Sequence, residues 1–169
     1  LLLMLADACL NTKQTIHDPM WGVGIGISSA EYISCFDRSS SPLVGTGAIL
    51  SVSCGRLSYT YNLRGPSACV DTACSSSLVC LHMFHKMLTH DMKGCCIGGS
   101  NLTLLEATSM MFKNANMLSI DGHCKTLDES ADGYVRAEAC LMITLCCEVD
   151  THDFGYIELC GSAVNQDGR

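Results

Sequence analysis

Charged residues are scarce in this sequence: Asp, Glu, Lys and Arg together make up 16% of its 169 residues. Basic residues are the scarcer kind, since 10 Lys and Arg stand against 17 Asp and Glu, for a formal net charge of −7 at pH 7. A nucleic-acid partner is therefore not expected, because binding to phosphates requires a basic surface. The hydrophobic content of 48% indicates elements that are buried within a layered body.

Long apolar runs are also missing. No stretch approaches the ~20 apolar residues that a membrane-spanning helix requires, so no membrane span is expected. Residues 1–5 are rich in leucine, but no basic region precedes them, as a signal peptide would require. We interpret them as the interior of a helix, and we expect the chain to be a fragment.

No Cys-x-x-Cys motif occurs, although the sequence contains 13 cysteines. Two cysteine pairs are adjacent, at 95–96 and 146–147, and no histidine stands at zinc-finger spacing from a cysteine. These spacings favour neither a metal site nor a disulfide framework. We therefore expect unpaired thiols, and with them the cytoplasm or another reducing compartment.

Residues 65–79, which read GPSACVDTACSSSLV, contain a predicted change from strand to helix. After a Gly-Pro break, the small and β-branched residues 67–72 predict a short buried strand. From Ser75 onward, apolar residues on most sides of a helical wheel predict a helix. The serines that open this helix have hydroxyls suited to satisfying unpaired amides.

Cys74 lies at the predicted turn between this strand and this helix. Backbone amides and the positive end of a helix dipole lower the pKa of a thiol and stabilise an oxyanion, so the position suits a nucleophile. The residues alone leave a second interpretation open, in which Cys74 is one buried packing cysteine among many.

The rest of the chain predicts an α/β protein, in which strands and helices alternate. The glycine-rich run 21–27 lacks the G-x-G-x-x-G order of a dinucleotide site, so we interpret it as a closely packed strand. The order of strand, helix and strand over 67–101 predicts a parallel unit with a right-handed crossover. The predicted strands are 21–27, 67–72, 94–101, 138–145 and 156–160, and the predicted helices are 1–14, 48–61, a segment starting at 75, and 103–116.

Residues 65–79 resemble the active-site segment of β-ketoacyl synthase domains, in the form used by type I polyketide synthases. The resemblance covers nearly the whole chain, because further motifs occur in the family's order: GTG at 45–47, GRLSY at 55–59, KTLD at 125–128, DGYVR at 132–136 and GSAVNQDGR at 161–169. It implies a thiolase-like layered αβαβα fold, present in part. Residues 1–169 would be mostly the amino-terminal half, a partial β-ketoacyl synthase domain truncated at both ends.

The resemblance implies that Cys74 is the catalytic nucleophile, which holds the growing acyl chain as a thioester, and that its backbone N–H is half of the oxyanion site. The implied reaction is a decarboxylative Claisen condensation with a malonyl-type unit. The family's two catalytic histidines lie in HGTGT and NIGH motifs, which do not occur in this sequence. They normally follow the motif at 165–168, so we expect them beyond Arg169. We assign surface or packing roles to the histidines that are present, His17, His82, His85, His90, His123 and His152.

The resemblance also implies what the domain binds. Its substrates would be acyl and malonyl thioesters carried on the phosphopantetheine of an acyl carrier protein. The domain itself would bind no cofactor and no metal. When intact, it would form a homodimer.

Two alternatives stay open. One is a fatty acid synthase ketosynthase of the same fold, although the motifs VDTAC at 70–74 and NQDG at 165–168 favour a polyketide synthase. The other is a truncated, non-catalytic unit that serves dimerisation or acts as a scaffold. A hydrolase-type nucleophile elbow is disfavoured, because it requires glycines where Thr72 and Ser76 stand.

The predicted strands are apolar on both faces, while the chain supplies few helices to cover them. A sheet covered on one side only would leave a large hydrophobic surface. We therefore expect one face of the sheet to be open and the isolated chain to associate or aggregate.

Overall fold

The computed structural model describes residues 1–10, 20–28, 31–35, 46–47, 49–89, 91–147 and 157–168. Helices and strands share this part of the chain, as the sequence predicts. In chain order the elements are α1 (Leu2–Leu10), β1 (Gly22–Gly26), α2 (Glu31–Ser34), α3 (Leu50–Thr60), β2 (Ser67–Val70), a 3-10 turn (Ala73–Ser75), α4 (Ser76–Met87), β3 (Gly94–Asn101), α5 (Glu106–Asn114) and β4 (Ala139–Cys146).

Four strands form one mixed sheet in the order β2-β1-β3-β4. β1 is parallel to both of its neighbours, and β4 is antiparallel to β3. The predicted parallel arrangement of β2 and β3 is therefore confirmed, with β1 lying between them. Gly26, near the carboxyl end of β1, pairs with Val70 on one side and Gly99 on the other. The turn that carries Cys74 follows Val70 at this edge of the sheet.

One face of the sheet is covered by α1 and α3. Val23 and Ile25 of β1 and Cys96 of β3 are buried on this side, together with Leu10 from α1 and Leu57 from α3. Burial of an aliphatic side chain of this size stabilises the fold by ~1.5–3 kcal/mol relative to exposure.

The opposite face is covered by α4. Cys80 and Phe84 of this helix are fully buried in one cluster with Cys95 and Ile97 of β3. The prediction of an open face is wrong, because α1 and α3 supply a layer on the side of the sheet that α4 does not cover. The described chain thus forms three layers, helix on sheet on helix.

Gly24 and Gly26 let α4 lie very close to β1. A Cβ atom on Gly24 would lie 2.6 Å from the Phe84 ring, and one on Gly26 would overlap the backbone of Ser77. These contacts explain the glycine-rich run as close packing, as predicted, with a helix as the close neighbour. They also hold the first turn of α4 against the end of β1.

Among the bounds that differ from the predicted ones, the end of β2 and the start of α5 lie where a side chain binds the backbone. β2 ends at Val70, and the Asp71 side chain then accepts the Ala73 N–H at 3.1 Å and turns the chain. α5 begins only at Glu106, after two amides that are bound by the side chain of Glu31.

The strand predicted at 156–160 is not found. Residues 157–160 form no strand, and β4 pairs only with β3 in the described part of the chain. The helix predicted at 1–14 is observed up to Leu10, and residues 11–14 lie outside the described residues.

Candidate active site

Cys74 lies in the middle of the 3-10 turn, between the end of β2 and the start of α4. This is the strand-to-helix position that the sequence predicts. Its side chain is exposed, which rules out the alternative interpretation as a buried packing residue. Because α4 follows the turn without a break, the first backbone amides of the helix lie next to Cys74 in the chain.

The residue before Cys74 has an unusual backbone conformation. Ala73 has a φ of +57°, in the left-handed region that costs an L-residue ~1–2 kcal/mol. The Asp71 carboxylate accepts the Ala73 N–H at 3.1 Å. The Ser76 hydroxyl donates to the Ala73 carbonyl at 2.6 Å and accepts the Thr72 N–H at 2.9 Å. The turn is therefore held from two sides in a conformation that its backbone alone disfavours.

Two of the serines that open α4, Ser75 and Ser76, bind the turn instead of the helix amides. Ser75 is the N-cap of α4, but its side chain makes no capping hydrogen bond. Its hydroxyl donates to the Thr72 carbonyl at 2.8 Å and lies 2.8 Å from Thr72 Oγ1. For Ser75 the predicted capping role is therefore wrong, because the tight turn brings the Thr72 carbonyl within reach of its hydroxyl.

Cys74 lines a pocket of about 1030 Å³ on the α4 side of the sheet. Residues of β3 and β4, of α4 and α5, and of the segment 134–137 surround it. Much of the lining is apolar, including Leu78, Leu81, Ile97, Met111, Phe112 and Leu141. Pockets of this size and character accommodate apolar ligands.

A buried ion pair braces one wall of the pocket. Arg136, which lines the pocket, places Nη2 2.8 Å from Glu31 Oε1, and the exposed fractions of the two side chains are 12% and 5%. Arg136 Nη1 donates to Ser109 Oγ at 2.7 Å, and the guanidinium lies 5.4 Å from the centroid of the Phe112 ring. Arg136 is thus engaged by protein groups and ties α5 to the segment before β4.

Glu31 connects the same wall to the start of α5. Its Oε2 accepts the N–H groups of Leu104 and Leu105, both at 2.8 Å. Burial raises the pKa of Glu31, but hydrogen bonds from Leu105 N–H, Arg136, Leu104 N–H and Thr108 outweigh burial and hold the pKa below its ordinary value. The carboxylate is therefore ionised at neutral pH, and its charge is paired.

The two cysteines nearest to Cys74 in the chain are shielded. Burial raises the pKa of Cys80 to about 12. Cys69 is half-buried, its pKa is raised chiefly by burial, and its thiol donates to a backbone carbonyl at 2.7 Å. Reactive thiols need access, and Cys74 is exposed whereas Cys80 is buried and Cys69 is half-buried. The chain contains only free thiols, and the other exposed ones are Cys35, Cys124, Cys146, Cys147 and Cys160.

The described histidines line no part of this pocket. His82 and His85 of α4 place their Nδ1 atoms 3.0 and 2.9 Å from Ser162 Oγ. His123 is exposed, with its Nδ1 2.9 Å from the carbonyl oxygen of Asp121. The histidines outside the described residues are His17, His90 and His152.

Among the described residues, no three His, Cys, Asp or Glu side chains come together in a group that could hold a metal ion. The helices in that part of the chain are all too short or too polar to cross a membrane.

The profile of the family described as beta-ketoacyl synthase, N-terminal domain, matches residues 3–150. The chain belongs to the β-ketoacyl synthase family. It is 39% identical over 162 residues to one of the phenolphthiocerol/phthiocerol polyketide synthase proteins of Mycobacterium tuberculosis, an alignment that covers 92% of this chain and 9% of that protein. It is also 39% identical over 135 residues to the fatty acid synthase of Anser anser anser, covering 78% of this chain and 38% of that sequence.

A solved structure shares the fold of this β-ketoacyl synthase chain. The ketosynthase from module 6 of the bacillaene synthase of Bacillus subtilis 168 matches with a TM-score of 0.74 and 31% identity, over 86% of this chain and 25% of that one. The three layers are therefore part of a thiolase-like ketosynthase fold, as the resemblance implies. The chain spans a quarter of that ketosynthase and less than a tenth of the mycobacterial synthase.

The sequence predicts the place of Cys74 but not the surroundings of its thiol. Met111 and Phe112 of α5 and Arg136 reach the pocket from segments that follow Cys74 at a distance in the chain. The one sequence signal for this wall is the family motif at 132–136, which ends in Arg136. No signal marks the left-handed backbone of Ala73, because glycine is the residue that usually adopts it.

Proposed function

We propose that this chain supplies the nucleophile of a polyketide synthase ketosynthase. The observation that carries the proposal is the exposed Cys74 thiol at the head of α4, beside an apolar pocket of about 1030 Å³. Membership of the β-ketoacyl synthase family supports an acyl-transferring synthase. The complete reaction would belong to an intact domain in which residues 1–169 form a partial, amino-terminal portion.

The first step transfers an acyl group to Cys74. The thiolate attacks the carbonyl carbon of an acyl thioester, a tetrahedral oxyanion forms, and the sulfur of the carrier leaves as a thiolate when its carbon–sulfur bond breaks. Backbone N–H groups stabilise the oxyanion, and the N–H of Cys74 is proposed as one of the two donors. The acyl chain then lies along the apolar side chains of the pocket, held as a thioester.

The second step forms the carbon–carbon bond. A malonyl-type thioester loses CO2, and the carbon of the resulting enolate attacks the carbonyl of the Cys74 thioester. Cys74 leaves as a thiolate, and the lengthened β-ketoacyl chain stays on the carrier. The resemblance assigns the stabilisation of the enolate to two histidines, whose HGTGT and NIGH motifs do not occur in this sequence.

The proposed partner is an acyl carrier protein that presents acyl and malonyl thioesters on phosphopantetheine. The similarity to a polyketide synthase and a fatty acid synthase supports this substrate class. We also propose that the domain binds no cofactor of its own and that the intact domain is a homodimer. Thirteen free thiols fit a reducing compartment such as the cytoplasm.

A fatty acid synthase ketosynthase is the second candidate, and the identity of 39% to the enzyme of Anser anser anser is the observation in its favour. The VDTAC motif at 70–74 and the similarity to the bacillaene ketosynthase favour a polyketide synthase. A non-catalytic scaffold is a third candidate, and acylation of Cys74 separates it from both enzymes.

The test is acylation of the intact domain by an acyl N-acetylcysteamine thioester, followed by intact-mass measurement. The wild-type domain should gain one acyl group, and Cys74→Ala should gain none, because in the described part of the chain Cys74 alone among the thiols lies at the head of a helix beside the pocket. Cys74→Ser should also fail, since an alcohol without a dedicated base is a weak nucleophile. Cys124→Ala, which removes another exposed thiol, is the matched control and should acylate as the wild type does. Acyl transfer to the Cys74→Ala domain would contradict the assignment.

A further inference from the structure

Ser76 is a buried polar residue two positions after the candidate nucleophile. Only 4% of its surface is exposed, whereas Ser77 beside it is exposed. Its hydroxyl makes two hydrogen bonds, and both are with the backbone of the turn. It donates to the Ala73 carbonyl at 2.6 Å and accepts the Thr72 N–H at 2.9 Å. Because a hydroxyl carries a single proton, the donation to Ala73 uses its whole donor capacity.

The two bonds span the backbone dihedrals that aim the following residue. The φ and ψ angles of Thr72 and of Ala73 all lie between the Thr72 nitrogen and the Ala73 oxygen, so holding both ends restricts all four angles. The φ of Ala73 is +57°, whereas an L-residue without such a restraint prefers negative φ. A return of Ala73 to negative φ would rotate the chain that follows it, which begins with Cys74.

The Asp71 carboxylate supports the same conformation from the other side, where it accepts the Ala73 N–H at 3.1 Å. Asp71 is exposed, however, while Ser76 is shielded from water. Water competes for the hydrogen bond of an exposed carboxylate and has no access to a buried hydroxyl. The restraint from Ser76 is therefore the stronger one.

We propose that Ser76 is a positioning residue: its buried hydroxyl holds Ala73 in the left-handed conformation and thereby fixes the direction of the Cys74 thiol. The proposal rests on the proposed function, because it concerns how the nucleophile of that reaction is aimed. A shift of about 1 Å at a reacting atom lowers a rate by up to about 100-fold, so loss of the hydroxyl should appear in the rate of acylation.

The experiment measures the maximal rate of Cys74 acylation, and the KM for an acyl N-acetylcysteamine thioester, in the intact domain. Ser76→Ala should lower the maximal rate about tenfold or more and leave KM nearly unchanged, since Ser76 is only 4% exposed, its hydroxyl bonds the turn, and the apolar side chains of the pocket stay in place. Ser76→Thr keeps the hydroxyl and should stay within about threefold of the wild type. Ser58→Ala removes a hydrogen-bonded serine of α3 that lines no part of the pocket, and it should behave as the wild type does.

Measuring Ser76→Ala in an Ala73→Gly background distinguishes a positioning role of Ser76 from a packing role. Glycine adopts positive φ without steric cost, so Ala73→Gly makes the restraint less necessary. In that background Ser76→Ala should lower the maximal rate less than about threefold. A loss of equal size in both backgrounds, a wild-type rate for Ser76→Ala, or a Ser76→Thr domain as slow as Ser76→Ala would overturn the positioning role. A wild-type domain that gains no acyl group at Cys74 would instead overturn the proposed function.

Discussion

Glu31 joins three parts of the molecule through a single carboxylate. It belongs to α2, it accepts two backbone amides at the start of α5, and it pairs with Arg136 in the segment before β4. Only 5% of its side chain is exposed. Removing one partner of a buried ion pair is costly because the other charge stays buried without its counter-charge. The wall of the pocket that Arg136 forms therefore depends on Glu31.

Glu31→Gln should lower the free energy of unfolding of the intact domain by about 3 kcal/mol at neutral pH, since Arg136 would lose its counter-charge. Folding lowers the pKa of Glu31 below its ordinary value of 4.5. The stabilisation by the carboxylate is therefore complete above that ordinary pKa, and it is lost as the pH falls through the lower pKa of the folded state. Urea unfolding should show the gap between wild type and variant narrowing in acid.

The control for this prediction is Glu138→Gln. Glu138 is exposed, and its carboxylate accepts the Thr103 N–H at 2.9 Å. The same oxygen also accepts the Thr103 hydroxyl at 3.1 Å. Because both hydrogen bonds are exposed and glutamine keeps an acceptor oxygen, the replacement should lower the free energy of unfolding by about 1 kcal/mol or less. Losses of equal size in the two variants would show that the buried ion pair stabilises the fold no more than exposed hydrogen bonds do.

The sequence predicts the most local feature of the site and misses the distant ones. The position of Cys74 follows from the change of periodicity within residues 65–79. Glu31 gives no such signal, because its partners Leu104, Leu105 and Arg136 lie 73, 74 and 105 residues away in the chain. The hydrogen bonds of Ser76 depend on a left-handed alanine, which no local pattern of residue types indicates.

At the scale of elements, the contact between α4 and β1 sets where the head of α4 lies. Gly24→Ala should lower the free energy of unfolding by ~1–3 kcal/mol, the usual cost of overpacking a core. The added Cβ would lie 2.5 Å from Cys80 Sγ and 2.6 Å from the Phe84 ring, and both side chains are fully buried. Urea unfolding of the intact domain measures the change.

A second glycine variant is the control for Gly24→Ala. Gly55 lies within α3, and a Cβ atom added there would meet no atom within 4 Å. Gly55→Ala should raise the free energy of unfolding by ~0.5–1 kcal/mol, because alanine is the better helix former. A Gly24→Ala domain with the stability of the wild type would show that α4 can move away from β1 without cost.

The periodicity of the sequence predicts which strands exist better than it predicts the residues at which they begin and end. Four of the five predicted strands are present, and their bounds differ from the predicted ones by two residues at most. The ends differ where a side chain binds the backbone, as Asp71 does after β2. The fifth predicted strand, at 156–160, rests on residue types alone, and residues 157–160 do not pair with β4.

At the scale of the whole molecule, α4 covers β3 but leaves apolar side chains of β4 exposed on the same face of the sheet. Ile143 of β4 pairs directly with Ile97 of β3, and these two residues share the α4 side of the sheet. The face expected to be open is not left open, because α1 and α3 pack on the side of the sheet opposite α4. What remains is a smaller α4-side patch, whose exposed members are Leu78, Leu141 and Ile143.

The isolated chain of 169 residues should bind the dye ANS and associate through this α4-side patch, because contiguous exposed apolar side chains drive association. Replacing Leu141 and Ile143 together by serine should reduce ANS fluorescence and shift size-exclusion elution towards the monomer. Leu127→Ser is the control, since Leu127 is fully exposed but outside the patch. Unchanged dye binding by the double variant would show that association has another cause.

The place of β1 in the middle of the sheet determines an order of events while the chain is being synthesised. During synthesis β1 leaves the ribosome before β2 and β3, its two partner strands. Val23 of β1 pairs with Ser67 of β2 and with Cys96 of β3, and both partners come later in the chain. Pairings between such distant residues form slowly. An apolar strand that lacks its partners is also prone to aggregate or to be bound by chaperones. Until Asn101 has emerged, the strand that will lie deepest in the protein is an open edge on the nascent chain.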